Sequence, residues 1–284
     1  MDSIVLTDDQ KVFLHWIRER ENARVNKTQG KPKPWTEDPI IQQYRFCNVE
    51  REKDTVSQWI HSNWCEPNVD HPNLVFAMVV ARLFNWPPTL ERLGFPLRSF
   101  LEDKELWRMR LKGIRDIDKG KVFTGAYLVS TNGIKMDKID YILDRVLTPI
   151  WNRCPRPKEG ETLQSFWNKL TIFDGLGSFM AGQVIADLKY FDPILKNASD
   201  WWTWAPLGPG SKRGLNRFYG RPVEKGLNQE NALKELQYLR ILVQSELAWN
   251  LPVHNIQNCC CEYDKYLRVR NNEGTPRSRY QGAY

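Results

Sequence analysis

Residues 173–220 read FDGLGSFMAGQVIADLKYFDPILKNASDWWTWAPLGPGSKRGLNRFYG, and two glycine-rich turns, Gly175-Leu176-Gly177 and Gly208-Pro209-Gly210, bracket one apolar helix and a tryptophan cluster. The first turn runs straight into Ser178-Phe179-Met180-Ala181. Glycines there let the backbone turn tightly and aim the free amides of the next helix at an anion. The second turn is followed by Ser211, Lys212 and Arg213. A flexible Gly-Pro-Gly bend then delivers hydroxyl, ammonium and guanidinium donors, as an oxyanion or diphosphate pocket needs. Two such sites in one stretch fit a polyphosphate or a nucleic-acid backbone. Neither is a nucleotide P-loop, because no GxxxxGK followed by Ser or Thr occurs. Glycine turns before helices also serve simply to cap or connect, so the surrounding chain has to be read with them.

Immediately upstream, Thr162 caps a helix that runs to Leu170 and stops just before the GLG turn. Helix, tight glycine hairpin and helix form the helix-hairpin-helix arrangement that holds DNA phosphates through main-chain amides, here those of Gly175, Gly177 and Ser178. Asp137 to Asn152 is amphipathic, with Ile139, Ile142, Leu143, Val146 and Ile150 at helical spacing. Further helices fit Asp54–Trp64, Pro72–Asn85, Leu97–Lys112 and Asp8–Arg24, while the basic, polar stretch Asn22–Pro34 reads as a loop. Residues 35–52, WTEDPIIQQYRFCNVERE, place Thr36 or Asp38 as the cap of a short helix beginning near Pro39. Tyr44, Arg45, Asn48, Glu50 and Arg51 then crowd donors and acceptors into a bend, a costly density unless the groups are paired or serve a ligand. Asn228–Trp249 reads as the last long helix, followed by a tail, Val253–Arg270, and a basic end through Arg277 and Arg279. Strong alternation is confined to Phe123–Ser130, so the expected fold is all-α with at most a minor β-hairpin. The chain reads as one helical domain, 1–284, with a division into lobes, 1–135 plus the tail and 136–250, left open.

Composition narrows the partners. A net charge of +7 over 284 residues suggests a polyanion, and 12 Trp interleaved with basic residues fit a surface where unstacked bases find flat partners. Most of those indoles are also natural core residues. The six cysteines include the run Cys259-Cys260-Cys261 and no CxxC pair, which excludes a zinc-deaminase site and points to reduced, intracellular thiols. No secretory signal or membrane-length apolar run is present, so a soluble protein with no membrane partner is expected, in a bacterial cytoplasm or a eukaryotic nucleus.

The segments FLHWIRER, KPKPWTEDPIIQQYRFCNVERE, FDGLGSFMAGQVIADL, APLGPGSKRGLN and VHNIQNCCCEYDKYLR together resemble the α-glutamyl/putrescinyl-thymine pyrophosphorylases. That family is similar in turn to the helical domain attached to 5-hydroxymethyluracil DNA kinases. The resemblance runs from about Phe13 to about Tyr280, and its most distinctive block is TEDPI to YRFCNVERE. It implies a DNA-base hypermodification enzyme on a DNA-glycosylase-like helical scaffold. In that chemistry the 5-hydroxymethyl oxygen of the base carries phosphate or diphosphate, and an amine from an amino acid or polyamine displaces it. The implied partners are double-stranded DNA with modified thymine, a free amino acid or polyamine, and a hydroxymethyluracil DNA kinase. No organic cofactor is implied, and a divalent metal has no ligand set in the sequence to support it.

For this reaction, Gly208, Gly210, Ser211, Lys212 and Arg213 are the candidates to hold the leaving group, with Lys212 also placed in the chemistry. Asp187, Asp200 or Glu262 is the candidate to take the amine's proton. Trp201, Trp202, Trp204 or Tyr44 would stack against a flipped base, and Arg45, Asn48 and Arg51 would hold the base edge, the phosphate or the amine. Each has a plainer use: Asp187 can pair with Lys189, Asp200 can cap a turn, and Glu262 and Asp264 can join Lys265 and Arg268 in a salt-bridge network. His254 reads as a structural hydrogen bonder. Two other roles stay open for the scaffold: excision of a modified base, and a silent DNA-binding module that recruits a kinase.

Overall fold

The computed structural model describes residues 5–124 and 130–276. Its α-helices are, in chain order, α1 (Asp8–Thr28), α2 (Pro39–Gln43), α3 (Thr55–Ile60), α4 (Leu74–Phe84), α5 (Pro87–Leu93), α6 (Phe100–Lys112) and α7 (Lys138–Tyr141). They continue with α8 (Thr148–Asn152), α9 (Leu163–Thr171), α10 (Gly177–Phe191), α11 (Pro209–Phe218), α12 (Gln229–Leu247) and α13 (Val253–Arg270). No strand occurs among the described residues, and the fold is all-α. Most of the alternating stretch Phe123–Ser130 falls on 125–129, outside the described residues, as do Arg277 and Arg279. No described helix is long and apolar enough to cross a membrane.

The chain folds as two compact units, one formed by the residues up to Asp54 with those from Trp202 on, the other by Thr55–Trp201. In the first, α1 is longer than its apolar periodicity suggests. Thr7 and Gln10 close a capping box at its start, and Ala23 stays buried, so the polar run Asn22–Thr28 is helix rather than loop. Phe13 of α1 meets Phe218 and Tyr263 edge-on, with ring centroids 5.4 and 5.1 Å apart.

The tail after Pro252 is also a helix. Val253, Ile256, Cys260, Tyr263 and Leu267 recur at helical spacing and are buried, a stripe hidden in the sequence by the charges of Glu262, Asp264 and Lys265 between them. The Gly-Pro-Gly bend is likewise the cap and first turn of α11. A Cβ on Gly210 would strike the Cys261 side chain, and one on Gly214 would strike the Cys260 carbonyl. These glycines let α11 and α13 approach backbone to backbone.

In the second unit, α4 is buried along its whole length and packs on α10, which also packs on α9. Three wide i→i+5 turns interrupt regular α-helix here: His61–Cys65 extends α3, Gly113–Ile117 ends α6, and Ile142–Leu147 joins α7 to α8.

Candidate functional site

In the second unit, the start of α9 is capped twice. Thr162 Oγ1 accepts from the Ser165 amide at 3.0 Å, and the two Asp200 oxygens accept from Leu163 and Gln164 at 2.7 and 3.0 Å. Asp200 is thereby committed to a helix N-terminus. The hairpin between α9 and α10 needs its glycines: Gly175 has φ +86° and lies against Val146, and Gly177 has φ +48°. No side chain caps α10, and Gly177, Ser178 and Phe179 are exposed at its start, with Ile172 beside them in the hairpin loop. The positive end of a 15-residue helix faces outward there.

Ten residues further along α10, Asp187 is almost wholly buried. Arg82 of α4 binds both of its oxygens, and His61 Nε2 lies 3.0 Å from Oδ1. Arg82 also donates to Asn85 Oδ1 and to Ser57 Oγ, both at 3.0 Å. Asp187 thus pairs with Arg82 and His61, and Lys189 bonds elsewhere: its ammonium donates to the Trp201 carbonyl at 2.9 Å and rests 3.6 Å from the centre of that indole. Trp201 Nε1 donates back to the Lys189 carbonyl at 2.6 Å, which fixes the ring in place.

In the first unit, the bend after α2 is a closed polar knot. The Arg20 guanidinium reaches the Phe46 and Cys47 carbonyls and the Asn48 side chain. Glu262 accepts from the Cys47 amide at 2.9 Å and pairs with Lys265, and Asp54 accepts from the Asn48 amide at 2.8 Å. Asn48, Arg51 and Tyr44 are buried, and Arg45 is exposed. These contacts tie the distinctive sequence block to α1 and α13, which is enough to explain its density of polar groups.

Burial pushes the Asp54 carboxyl up from 3.8 to about 6, against the opposing pull of the Asn48 amide, Arg51 and Arg20. The stability it contributes is fully present below the unfolded value and is lost as pH rises through about 6. Asp54→Asn keeps an acceptor for the Asn48 amide. We expect it to exceed wild type by roughly 2–3 kcal/mol near neutral pH, with the gap closing below about pH 4. Urea unfolding across that pH range checks this.

The anion-binding candidates at the start of α11 divide by environment. Ser211 is fully buried; its Oγ bonds the amide and carbonyl of Gly208 and accepts from Gln257 at 3.1 Å. Arg213 donates to Asp264 at 2.9 Å, and Arg217 holds the other Asp264 oxygen. The Lys212 ammonium has no partner among the described residues and is partly exposed. Trp202 is 42% exposed with the Arg240 guanidinium over its ring, whereas Trp204 is buried edge-on to His254.

Sequence reading alone passes over two features. His61 belongs to no motif and meets Asp187 only through a tertiary contact spanning 126 positions. The other feature surrounds Trp35, where Lys27 and Lys33 each lie 5.3 Å from the ring centre. Trp35 Nε1 donates to the Lys31 carbonyl, and Lys31 Nζ donates to Asn26 Oδ1, each at 2.8 Å. The basic run KPKPW carried that signal, but only the structure shows the indole gathering the ammonium groups. Among the described residues no cluster of His, Cys, Asp and Glu is arranged to hold a metal.

Set beside known proteins, this all-helical chain belongs to the family described as "5-hmdU DNA kinase, helical domain", whose profile matches residues 7–275. A relative is the 5-hmdU DNA kinase of Bacillus phage SP10, 27% identical over 303 aligned positions that cover 92% of this chain and 45% of the phage protein. The chain therefore spans a little under half the length of that curated relative. No solved structure matches it.

Proposed function

We propose that this protein is a DNA-modifying transferase of the hydroxymethyluracil pathway. It acts on thymine-type bases whose 5-hydroxymethyl oxygen carries phosphate or diphosphate. An amine nitrogen from an amino acid or polyamine attacks the 5-methylene carbon, the C–O bond breaks with its electron pair leaving on the phosphate oxygen, and the nitrogen loses a proton. The observation that carries this reading is the match along residues 7–275 to the helical domain of 5-hmdU DNA kinases; the amine transfer rests on the resemblance of the quoted sequence segments to the thymine pyrophosphorylases.

The geometry supports a division of labour. The exposed, uncapped start of α10 offers amides to a DNA phosphate in the manner of a helix-hairpin-helix element, with Gly175, Gly177 and Ser178 shaping it. On the first unit, Lys212, with Arg213 beside it on α11, supplies cationic charge for a phosphate group, while Ser211 shapes the turn beneath them. Also on the first unit, Trp202 is an exposed indole that offers a flat face to an unpaired base. Lys27, Lys31 and Lys33 around Trp35 add charge for the DNA backbone. Replacing all three by Ala is expected to flatten the plot of log binding constant against log salt by up to about 2–3 units, read by fluorescence anisotropy on duplex DNA.

The test is nucleoside mass spectrometry after incubating the protein with DNA bearing phosphorylated or pyrophosphorylated hydroxymethyluracil and a pool of amino acids and polyamines. A new aminomethyl-type thymine nucleoside with phosphate or diphosphate released is the expected result. DNA that is bound and unchanged favours the second reading, a DNA-binding module for a kinase, which the match to a domain of a longer kinase supports. Abasic sites would favour base excision, a reading weakened by the commitment of both Asp200 oxygens to the start of α9.

A further inference from the structure

We propose that His61 is the proton acceptor of the second unit and that Asp187 is its positioning residue. The assignment rests on the amine-transfer reading above, and it moves the base from the carboxylate to the imidazole. Asp187 is too deeply buried to meet a substrate, and Arg82 grips both its oxygens. What the carboxylate does instead is accept from His61 Nε2 at 3.0 Å. A carboxylate held by a guanidinium is an acceptor, so the ring proton resides on Nε2 and the lone pair on Nδ1.

That Nδ1 has no partner among the described residues, and the His61 side chain keeps 11% of its surface exposed. The edge of Phe191, with ring centres 4.7 Å apart, restrains the imidazole plane. His61 opens the wide turn His61–Cys65, a departure from regular helix that is common where a side chain is aimed for function. The Arg82–Asp187 pair is electrically balanced without His61. A further ionisable ring on that pair has a use when its outer nitrogen works.

The same helix that presents the hairpin amides carries the dyad. Asp187 follows Gly177 by ten positions of α10, about 15 Å at the helical rise. The hairpin and the dyad's Asp187 therefore share one helix of the second unit. In the reaction, the amine N–H proton passes to His61 Nδ1 as the N–C bond forms and the C–O bond to the phosphate breaks. Asp187 keeps the hydrogen bond from Nε2 and so holds the ring in place.

The experiment compares wild type with His61→Gln and His61→Asn in single-turnover transfer on DNA carrying pyrophosphorylated hydroxymethyluracil, with thermal melting as the folding control. A folded variant is expected to keep DNA binding, lose roughly 10²–10⁴-fold in transfer rate, and recover part of it with added imidazole. Wild type that forms no adduct overturns the transferase reading and the base assignment with it. Wild type that forms adduct while a folded variant keeps pace overturns the base assignment alone. On the wild-type protein, ¹⁵N NMR of the histidine rings is expected to show His61 with a bare Nδ1 and a protonated Nε2, and the opposite tautomer overturns the proposal.

Discussion

Arg82→Met is expected to destabilise the protein by about 3–5 kcal/mol, the penalty for leaving a buried carboxylate without its ion partner. Arg82 and Asp187 are each only 1% exposed, and the guanidinium also satisfies Asn85 and Ser57. Removing it orphans several acceptors at once, which places the effect at the upper end of single-substitution changes. The double replacement Arg82→Met with Asp187→Leu removes the stranded charge and should recover most of the loss, because a buried ion pair is worth little more than an apolar pair of like volume. Urea unfolding of the two proteins checks both statements. A single replacement that costs less than about 1 kcal/mol would show that the pair is hydrated or rearranges on substitution.

Gly214→Ala sets helix propensity against packing. Propensity alone makes alanine in a helix interior about 1 kcal/mol better than glycine. Here a Cβ would meet the carbonyl oxygen, carbon and Cα of Cys260, the Cα at 3.0 Å, and these are backbone atoms of α13 that cannot rotate aside. α11 and α13 would have to separate, at the cost of Phe218, Leu215 and Tyr263 packing in the first unit. We expect a net loss of about 3 kcal/mol or more, visible as a large drop in melting temperature. Gly210→Ala is the control one turn earlier: its obstacle is the Cys261 sulfur, which can turn away, so the loss should stay near 1 kcal/mol. Equal effects at the two positions would refute this account of the helix contact.

The helices that declare themselves in the sequence are those with one apolar stripe or a clear cap. α9 begins where Thr162 predicts, α2 begins after Asp38, and the rod from Lys138 to Asn152 follows its Ile and Leu periodicity. α13 escaped notice because Glu262, Asp264 and Lys265 interrupt the apolar pattern, although each charge finds a partner in the folded protein. α11 escaped because Gly-Pro-Gly has the composition of a bend, and only contact with α13 makes its glycines helical assets. Among the site residues, Asp187 stood out as a lone acid at the end of an apolar helix. Its partners did not, since an aspartate in sequence says nothing of which cation or imidazole will fold against it.

By itself the sequence determined the helical class, the glycine hairpin ahead of α10, and the relation to the helical domain of 5-hmdU DNA kinases, because local periodicity, capping and motif spacing are written within a few turns of chain. Tertiary structure alone decided which polar residues serve the fold and which face outward. Asp200, Ser211, Glu262, Asn48 and the Nε2 of His61 are occupied by internal hydrogen bonds, while Lys212 and Trp202 keep exposed surface. The physical reason is desolvation: a buried polar group must be satisfied by whatever partner the packing brings, and that partner can lie more than a hundred residues away.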